Sequence, residues 1–291
     1  MLITIFTPTY NRGSLLNNLF LSLLEQSKKV FEWIIVDDGS SDDTKIVVQK
    51  FIESADFPIR YIYQENQGKH IAINCGVQNA LGELFFIVDS DDYLPHNAIE
   101  VIVNQYSSIR FNEKYCGLCG IKAFFDYTPV CGKIDFQELH CSSLDFRFKY
   151  KVKGDVAEVF KTSIIKQYSF PKINGEKFCP EGLINNRMST NYIIKYFKDI
   201  IYLCEYRKDG LSANIIKVRY NSPSYSMLYY SEFTNLKLPV TQIIKAGINF
   251  WRFYKSDSSI IKSIHLNPYV LPLFPFGMLY KIVDYILLRH N

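Results

Sequence analysis

Short apolar runs alternate with helix-like segments along residues 1–90. Four runs have the length of strands and are rich in branched and aromatic side chains, at residues 2–7, 33–36, 59–63 and 84–88. The segment 14–24, by contrast, repeats apolar residues at helical spacing, which is typical of an amphipathic helix. Strands that alternate with helices predict a parallel sheet with right-handed crossovers. The pattern therefore predicts an α/β fold.

A polar cluster follows each predicted strand. The clusters lie at residues 7–12, 37–40, 67–69 and 89–92. The carboxyl ends of parallel strands meet along one edge of a sheet, and ligands bind in the crevice at that edge. Polar clusters that converge on one edge therefore predict a cleft that binds a nucleotide-type ligand.

The last of these clusters, Asp89-Ser90-Asp91-Asp92, is the most acidic. Its carboxylates repel one another, and burying one without compensation costs several kcal/mol. A divalent cation would remove that cost, and oxygen ligands favour Mg²⁺ or Mn²⁺, which sit between one or two carboxylates and substrate phosphates. The competing interpretation is a solvated acidic turn in which Asp91 or Asp92 caps a helix.

Other polar residues of the predicted cleft also have two interpretations. Asp37 or Asp38 either caps a helix or accepts a hydrogen bond from a base or a ribose hydroxyl. Tyr10 is either a core residue or a platform on which a base stacks. Lys69 is either a solvated surface charge or a partner for a diphosphate.

Composition narrows the class of protein. With 291 residues, 48% apolar and 21% charged, the chain is predicted to be globular, as one large domain or two closely joined ones. A net charge of +4 is too mild to indicate a nucleic-acid partner. Seven cysteines, an odd number, and no leader-like segment after Met1 predict a reducing cytoplasm. Cys116 and Cys119 lack the second pair that a zinc site needs, so buried thiols on a strand are expected.

Four blocks of the sequence closely resemble family-2 glycosyltransferases of the GT-A fold. The order and spacing agree over roughly residues 1–110, and the blocks are Thr7–Asn11, Val36–Ser40, Gln67–Lys69 with Asn74, and Gly82–Asp92. The resemblance implies a GT-A-like (Rossmann-like), mixed but mostly parallel sheet flanked by helices. It also implies inverting transfer of a sugar from a nucleotide-diphosphate sugar, with UDP favoured, to a saccharide or lipid-linked saccharide in bacterial surface polysaccharide synthesis.

The resemblance further implies roles for single residues. Asp91 is expected to ligate the Mn²⁺ or Mg²⁺ that bridges the diphosphate and to act in catalysis. Asp89 is expected near the ribose and as the second metal ligand. The third block departs from the family pattern, because Lys69 and His70 stand where small residues are common. The remaining residues expected to contact the nucleotide are Pro8, Thr9, Tyr10, Asn11, Arg12, Asp37, Asp38, Lys69, Asn74 and Ser90.

Inverting transfer also needs a carboxylate that takes the proton of the acceptor hydroxyl, a contribution of roughly 10²–10⁴ in rate. In the family that residue comes from an acidic motif that opens a helix facing the cleft. Glu181, before a helix expected over 182–197, matches best. Glu176 and Asp155 are the alternatives, and the competing role for Glu181 is to stabilise the helix N-terminus by roughly 0.3–1 kcal/mol.

Three segments are expected along the chain. Residues 1–110 form a nucleotide-sugar-binding half, 111–215 an acceptor-binding half of the same domain, and 216–291 a helical extension. The extension is rich in aromatic and basic residues, and its apolar run 269–280 holds two prolines. That run is expected to be too short to span a bilayer, which takes about 20 apolar residues. The extension is expected either to lie on the inner face of the cell membrane as a peripheral anchor or to pack as a lid or dimer contact.

Other functions agree less well with the pattern. A nucleotidyltransferase or phosphatase is disfavoured because the acidic motif follows the fourth predicted strand and no Gly-rich phosphate loop is present. A dinucleotide dehydrogenase would carry Gly-x-Gly-x-x-Gly after the first strand, and that motif is missing. A catalytically inactive homologue that serves as a membrane-docked subunit remains the alternative, and the intact carboxylates argue against it.

Overall fold

The structure, a computed structural model, describes residues 1–205 and 214–289. Within these residues one mixed sheet is built from the strands β1 (Ile3–Thr9), β2 (Phe31–Asp37), β3 (Ile59–Tyr63), β4 (Leu84–Ile87), β5 (Tyr115–Phe124), β6 (Glu138–Cys141), β7 (Val156–Lys161) and β8 (Ile193–Cys204). Their order across the sheet is β3-β2-β1-β4-β7-β5-β8-β6.

The side of the sheet that contains β1 to β4 is parallel. Ile5 of β1 lies beside Trp33 of β2 and Phe86 of β4, and β2 pairs in parallel with β3. Parallel strands covered by helices on both faces are buried along their length, and every residue of β2 is buried. The sequence pattern identified β1, β2 and β4 because they are largely apolar, whereas β3 is half-buried and contains Arg60.

Strand β7 makes the sheet mixed, because it runs antiparallel to both β4 and β5. Beyond it, β8 is parallel to β5 and antiparallel to β6. The helices that accompany the sheet are α1 (Leu16–Leu24), α2 (Thr44–Ser54), α3 (Lys69–Asn79), α4 (Ala98–Ser107), α5 (Ser143–Phe148) and α6 (Thr162–Ile165). Helix α7 (Gly182–Met188) precedes β8 in the chain. The predicted α/β architecture, a mixed sheet flanked by helices, is confirmed.

An aromatic cluster packs α1 and α2 onto β2. Phe20 and Phe51 stack with 4.2 Å between ring centroids, and Phe51 lies 6.0 Å from Trp33. The indole N–H of Trp33 donates to Thr7 Oγ1 at 2.9 Å. Full burial of one such side chain stabilises the fold by roughly 1.5–3 kcal/mol. The cluster therefore holds β1 and β2 side by side where their polar loops begin.

The described residues divide into two compact units. The first contains residues 1–169 and 187–205, and the second contains 170–186 and 214–289. The helices of the second unit after residue 213 are α8 (Ile215–Asn221), α9 (Pro223–Thr234), α10 (Val240–Arg252) and α11 (Phe274–Arg289). The expected helical character of the C-terminal extension is therefore found. The predicted border at residue 215 adjoins residues outside the described part of the chain.

The helix expected over 182–197 is shorter than predicted. It ends at Met188, and β8 begins at Ile193. The residues from Ile193 onward pair with β5 and β6 instead of continuing the helix. Pairing with strands that lie far away in sequence outweighs the local helical pattern there.

The apolar run near the C-terminus is longer than predicted. A 3₁₀ turn, Pro268–Leu273, leads directly into α11, and the joint helical segment Pro268–Leu288 has 21 residues, enough by length and composition to cross a membrane. The expectation that this run is too short to span a bilayer was wrong. Pro275 occupies the first turn of α11, where a missing N–H costs no helical hydrogen bond.

Candidate active site

The acidic motif lies in the loop between β4 and α4. The N–H of Val88 donates to the carbonyl of Phe6 at 2.8 Å, which continues the parallel pairing with β1. On the other side of the motif, Tyr93 and Leu203 exchange backbone hydrogen bonds of 3.1 and 2.9 Å. Helix α4 begins only at Ala98. The interpretation of the motif as a helix cap is therefore wrong.

Asp92 connects the motif to the strands β5 and β8. Its carboxylate accepts from the hydroxyl of Tyr202 at 2.7 Å and lies 3.1 Å from the ammonium of Lys122. The same Tyr202 hydroxyl accepts from the backbone N–H of Asp89 at 2.9 Å. Lys122 also lies 4.2 Å from the centroid of the Tyr202 ring. We call Asp92, Lys122 and Tyr202 the motif anchor.

Burial and charge act against each other in the motif anchor. Burial raises the pKa of Asp92 to about 6, although Lys122 opposes the shift. Burial lowers the pKa of the Lys122 ammonium, but Asp92 and Asp89 outweigh this effect, so that pKa is raised overall. Above a pH of about 6 the pair is therefore ionised, and one of the clustered negative charges is compensated within the protein.

The other two motif carboxylates face cations from separate loops. Asp91 pairs with Arg12, from the loop after β1, at 3.0 Å. Asp89 pairs with Lys69, the first residue of α3, at 2.6 Å. Burial raises the pKa of Asp89, but Lys69, Lys122 and Arg12 together bring it below its usual value. The structure therefore brings these two acidic and two basic residues, all predicted site residues, to one place.

Asp38 organises the turn that carries Lys69. Its carboxylate accepts from the backbone N–H groups of Gln67 and Gly68 at 2.8 and 2.7 Å, and from Gln64 Nε2 at 2.7 Å. Gly68 has a φ of +96°, which favours glycine. A carboxylate with three internal donors is largely satisfied. Asp38 therefore fixes the approach of Lys69 to Asp89.

Asp37 and Asn11 join the loops that follow β1 and β2. Asp37 accepts from the N–H of Ser40 at 2.8 Å and from the hydroxyl of Tyr61 at 2.6 Å. The N–H of Asn11 donates to Ser40 Oγ at 2.8 Å, while its side-chain oxygen accepts from the N–H of Ser41 at 2.7 Å. These bonds hold the loop that contains Arg12 against its neighbour.

The remaining predicted contacts occupy different environments. Tyr10 is 50% exposed, so the interpretation of this residue as core is wrong. Thr9 and Ser90 are buried, whereas Pro8 and Asn74 are half-buried. Their positions at the end of β1, in the acidic motif and in α3 belong to the first unit.

The candidate base Glu181 belongs to the second unit, where it is exposed and immediately precedes α7. The alternative Glu176 has a structural use. Its carboxylate accepts from the backbone N–H groups of Ser224 and Tyr225 at 3.0 and 3.1 Å, in the first turn of α9. Such a cap stabilises a helix N-terminus. The other alternative, Asp155, directly precedes β7 in the first unit.

Two members of the motif anchor were missed by the sequence analysis. Lys122 stands on β5 and Tyr202 on β8. A lysine within an otherwise apolar buried strand was a usable signal, because a buried cation needs a partner. That partner, Asp92, lies 30 residues earlier in the chain, and Tyr202 reaches the same place through the pairing of β5 with β8, so no local pattern identifies the motif anchor.

Residues 4–118 match the family described as Glycosyl transferase family 2. A longer stretch of 182 residues is 32% identical to an uncharacterised glycosyltransferase of Haemophilus influenzae, and covers 61% of this chain and 69% of that protein. The chain belongs to glycosyltransferase family 2. This family-2 enzyme is also 32% identical over 174 residues to the GalNAc(5)-diNAcBac-PP-undecaprenol beta-1,3-glucosyltransferase of Campylobacter jejuni, which covers 58% of this chain and 54% of that protein.

Solved structures share the fold of this family-2 glycosyltransferase. S. aureus TarS 1-349 in complex with UDP-GlcNAc has a TM-score of 0.64 and 19% identity, and covers 95% of this chain and 79% of that chain. The mannosyltransferase PcManGT of Pyrobaculum calidifontis, in complex with GDP-Man and Mn²⁺, has a TM-score of 0.58 and 18% identity. The match covers 97% of this chain and 75% of that chain. At these identities the likeness establishes the fold.

Proposed function

We propose that this glycosyltransferase moves a sugar, with inversion, from a nucleotide-diphosphate sugar to a hydroxyl of a saccharide or lipid-linked saccharide. The observation that carries the proposal is the meeting of Asp89 and Asp91 with Arg12 and Lys69 at the carboxyl edge of the parallel strands. Carboxylates that attract a divalent cation, beside basic residues that attract phosphate, match a metal-bound diphosphate.

Asp89 and Asp91 are the residues that would hold Mn²⁺ or Mg²⁺. Among residues 1–205 and 214–289 no three His, Cys, Asp or Glu side chains cluster as metal ligands. Two carboxylates fit these ions nonetheless, because such ions commonly take further oxygens from water and substrate phosphates. When bound, the ion would supply Lewis-acid stabilisation of the charge on the departing diphosphate. Mn²⁺ in the PcManGT complex supports this choice of ion.

The other cleft residues would bind the nucleotide. Arg12 and Lys69 carry charges that suit the diphosphate, and half-exposed Tyr10 offers a ring face on which a base can stack. Asn11 and Asp37 would act mainly by holding the loops in place, since each already accepts hydrogen bonds from neighbouring residues. Pro8, Thr9, Asn74 and Ser90 complete the proposed nucleotide site.

The donor and the location are proposed from relatives. UDP is favoured as the nucleotide because TarS 1-349 binds UDP-GlcNAc within the same fold. A lipid-linked acceptor is supported by the name of the Campylobacter relative, which contains a PP-undecaprenol acceptor. An acceptor of this kind would place the enzyme in the cytoplasm, on the inner surface of the cell membrane, in surface polysaccharide synthesis.

The proposal is tested by donor binding and turnover in wild type and Asp91→Asn. We expect UDP release from a UDP-sugar in the presence of Mn²⁺ to fall at least roughly a hundredfold in the variant, because a ligand of the ion is lost. The exposed Asp126, which lies outside the motif, provides Asp126→Asn as the control. A wild type without donor turnover would instead favour the non-catalytic subunit, and equal turnover in Asp91→Asn would remove the metal assignment.

Glu181 is proposed as the base that receives the acceptor proton. Replacing it by Gln keeps the size of the side chain and removes the carboxylate, so we expect kcat to fall roughly 10²–10⁴-fold while the Kd for UDP stays unchanged. The measurement pairs a turnover assay with calorimetric titration of UDP. Glu232, a glutamate on α9, gives Glu232→Gln as the comparison. A Glu181→Gln enzyme with normal kcat would return the assignment to Asp155.

A further inference from the structure

Helix α11 and the 3₁₀ turn before it expose apolar side chains around most of their circumference. Between residues 268 and 288 the charged residues are Lys281 and Asp284. A soluble monomer rarely leaves a contiguous apolar patch larger than a few hundred Å² in water, so this surface requires a partner. The large apolar side chains here that are more than two-fifths exposed are Tyr269, Leu271, Phe274, Phe276, Leu279, Tyr280, Ile282, Val283, Tyr285, Ile286, Leu287 and Leu288.

Only a narrow stripe of this segment is covered by the rest of the second unit. Val270, Gly277 and Asp284 are buried and recur every seven residues. The backbones approach closely along the stripe, because a Cβ added at Gly277 would lie 2.3 Å from the Cβ of Trp251, on α10. The indole N–H of Trp251 in turn donates to the carbonyl of Val270 at 2.9 Å. Helix α11 therefore packs on α10 through this stripe, and the other faces of α11 remain exposed.

Both charged residues of the segment point into the second unit. Asp284 receives two hydrogen bonds from the guanidinium of Arg252, at 2.5 and 2.6 Å, and one from the hydroxyl of Tyr220 at 2.7 Å. Lys281 donates to the carbonyl of Tyr254 at 2.7 Å. If α11 left α10 to cross a bilayer, Asp284 would exchange these partners for hydrocarbon, where a charged side chain is strongly disfavoured. The ion pair thus favours a helix that stays on its unit.

The C-terminal region carries an excess of positive charge, which favours an anionic partner for the exposed apolar surface. From residue 240 onward six Lys and Arg residues oppose two Asp residues, and three of the lysines, Lys245, Lys255 and Lys262, are exposed. Anionic phospholipids attract basic residues that lie near the membrane surface. Tyrosines, of which the segment exposes three, are favoured at the level of the lipid headgroups. A second copy of the chain would carry the same positive charge in this region, so the two copies would not attract each other electrostatically.

We propose that α11 and its preceding turn lie in the interface of an anionic phospholipid membrane, as an anchor that does not cross the bilayer. An ordinary amphipathic helix at a membrane surface turns a polar face towards water. In α11 the covered stripe occupies that position, and it packs on the second unit instead of contacting water. The inference rests on the membrane location in the proposed function, and it adds how the chain would be held there. Vesicle binding without donor or acceptor can fail or succeed independently of sugar transfer.

The test is flotation of the full chain with vesicles of phosphatidylcholine alone and of phosphatidylcholine mixed with phosphatidylglycerol. We compare wild type with the double variant Ile282→Asp and Ile286→Asp, two exposed positions one helical turn apart. The matched control, Ile46→Asp with Leu81→Asp, places the same change at two exposed apolar positions of the first unit. We expect wild type and control to float with the mixed vesicles and the α11 variant to bind at least roughly tenfold more weakly.

Three outcomes would overturn the proposal. Equal binding to both vesicle types would remove the role of anionic lipid. Bound protein that fails to exchange onto fresh vesicles would indicate a helix that crosses the bilayer. A dimer in light-scattering measurements that dissociates in the α11 variant, with no vesicle binding by wild type, would show that a second copy covers the surface. Wild-type-like circular dichroism of the variant keeps the comparison valid.

Discussion

Arg12 and Lys69 bind the carboxylate oxygens for which a divalent cation would compete. Arg12 lies 3.0 Å from Asp91, and Lys69 lies 2.6 Å from Asp89. A metal ion that approaches these oxygens must displace the basic side chains or share the carboxylates with them. A diphosphate, in contrast, attracts the same side chains. Each basic residue should therefore weaken metal binding and strengthen nucleotide binding.

Arg12→Met separates these two effects. The variant should bind Mn²⁺ alone roughly three- to fivefold more tightly and UDP alone weaker by a similar factor, which is the scale of a partly exposed ion pair. Calorimetry with each ligand separately measures both constants. Arg110→Met removes another arginine that is paired with a glutamate in the first unit, Glu83, and should change neither constant. If both affinities fall together in Arg12→Met, the side chain only supports the fold.

The sequence was informative about residues that follow strands. Asp89, Asp91, Arg12 and Lys69 were predicted to share one edge because parallel strands impose that arrangement, and the structure brings them within ion-pair distance. The hydrogen-bond partners of Asp38 could not be predicted in the same way. Its two oxygens accept backbone N–H groups from a turn about thirty residues later, and only the folded chain shows that bonding.

At the scale of elements, β8 positions the acidic motif through the side chain of Tyr202. Tyr202 is almost fully buried and its hydroxyl joins the backbone of Asp89 to the carboxylate of Asp92. The hydroxyl therefore fixes the distance between the two ends of the motif. Burial and the nearby carboxylates Asp89 and Asp92 raise the pKa of the phenol, so the hydroxyl keeps its proton and continues to donate.

Tyr202→Phe removes this one hydroxyl. We expect the unfolding free energy to fall by about 1–3 kcal/mol, since two buried hydrogen bonds are lost. We also expect Mn²⁺ binding, measured in the presence of UDP, to weaken roughly tenfold as the motif loosens. Tyr196→Phe alters another buried tyrosine on β8, which stacks on Phe146 at 3.8 Å. Equal metal affinity in the two variants would show that Tyr202 contributes stability alone.

Elements were predicted well where burial on both faces made their pattern continuous. The strands β1, β2 and β4 are such elements. They and the half-buried β3 were each found within a few residues of their expected bounds. The start of β8 was taken for a helix, because its pairing with β5 is visible only in three dimensions. The C-terminal helix was underestimated because its prolines were read as interruptions, whereas they lie in a 3₁₀ turn and a first helical turn.

At the scale of the whole molecule, several ionisable side chains are buried and most have charged or multiple partners. Glu32 accepts from Thr4 and Leu81 and pairs with Arg60. The ammonium of Lys161 donates to three backbone carbonyls at 2.8–3.0 Å. Burial lowers the pKa of the His70 imidazole to about 4. This group should make the stability of the fold depend on pH.

The sign of that dependence follows from linkage. In the unfolded chain a histidine has a pKa of roughly 6.5, whereas folded His70 has a pKa of about 4. Between these values the unfolded state binds more protons, so His70 reduces stability as pH falls below about 6.5. Asp92, whose pKa is raised to about 6, acts in the opposite direction in part of the same range. Only a comparison with a His70 variant isolates the histidine.

Urea unfolding of wild type and His70→Gln at pH 7 and pH 5 makes that comparison. On lowering the pH, wild type should lose about 2 kcal/mol more than the variant, because the variant has no imidazole to protonate. His96→Gln, at an exposed histidine of the same unit, should lose as much as wild type. If wild type and His70→Gln lose the same amount, His70 is protonated in the folded chain without penalty. The acid sensitivity of the molecule would then arise from its carboxylates.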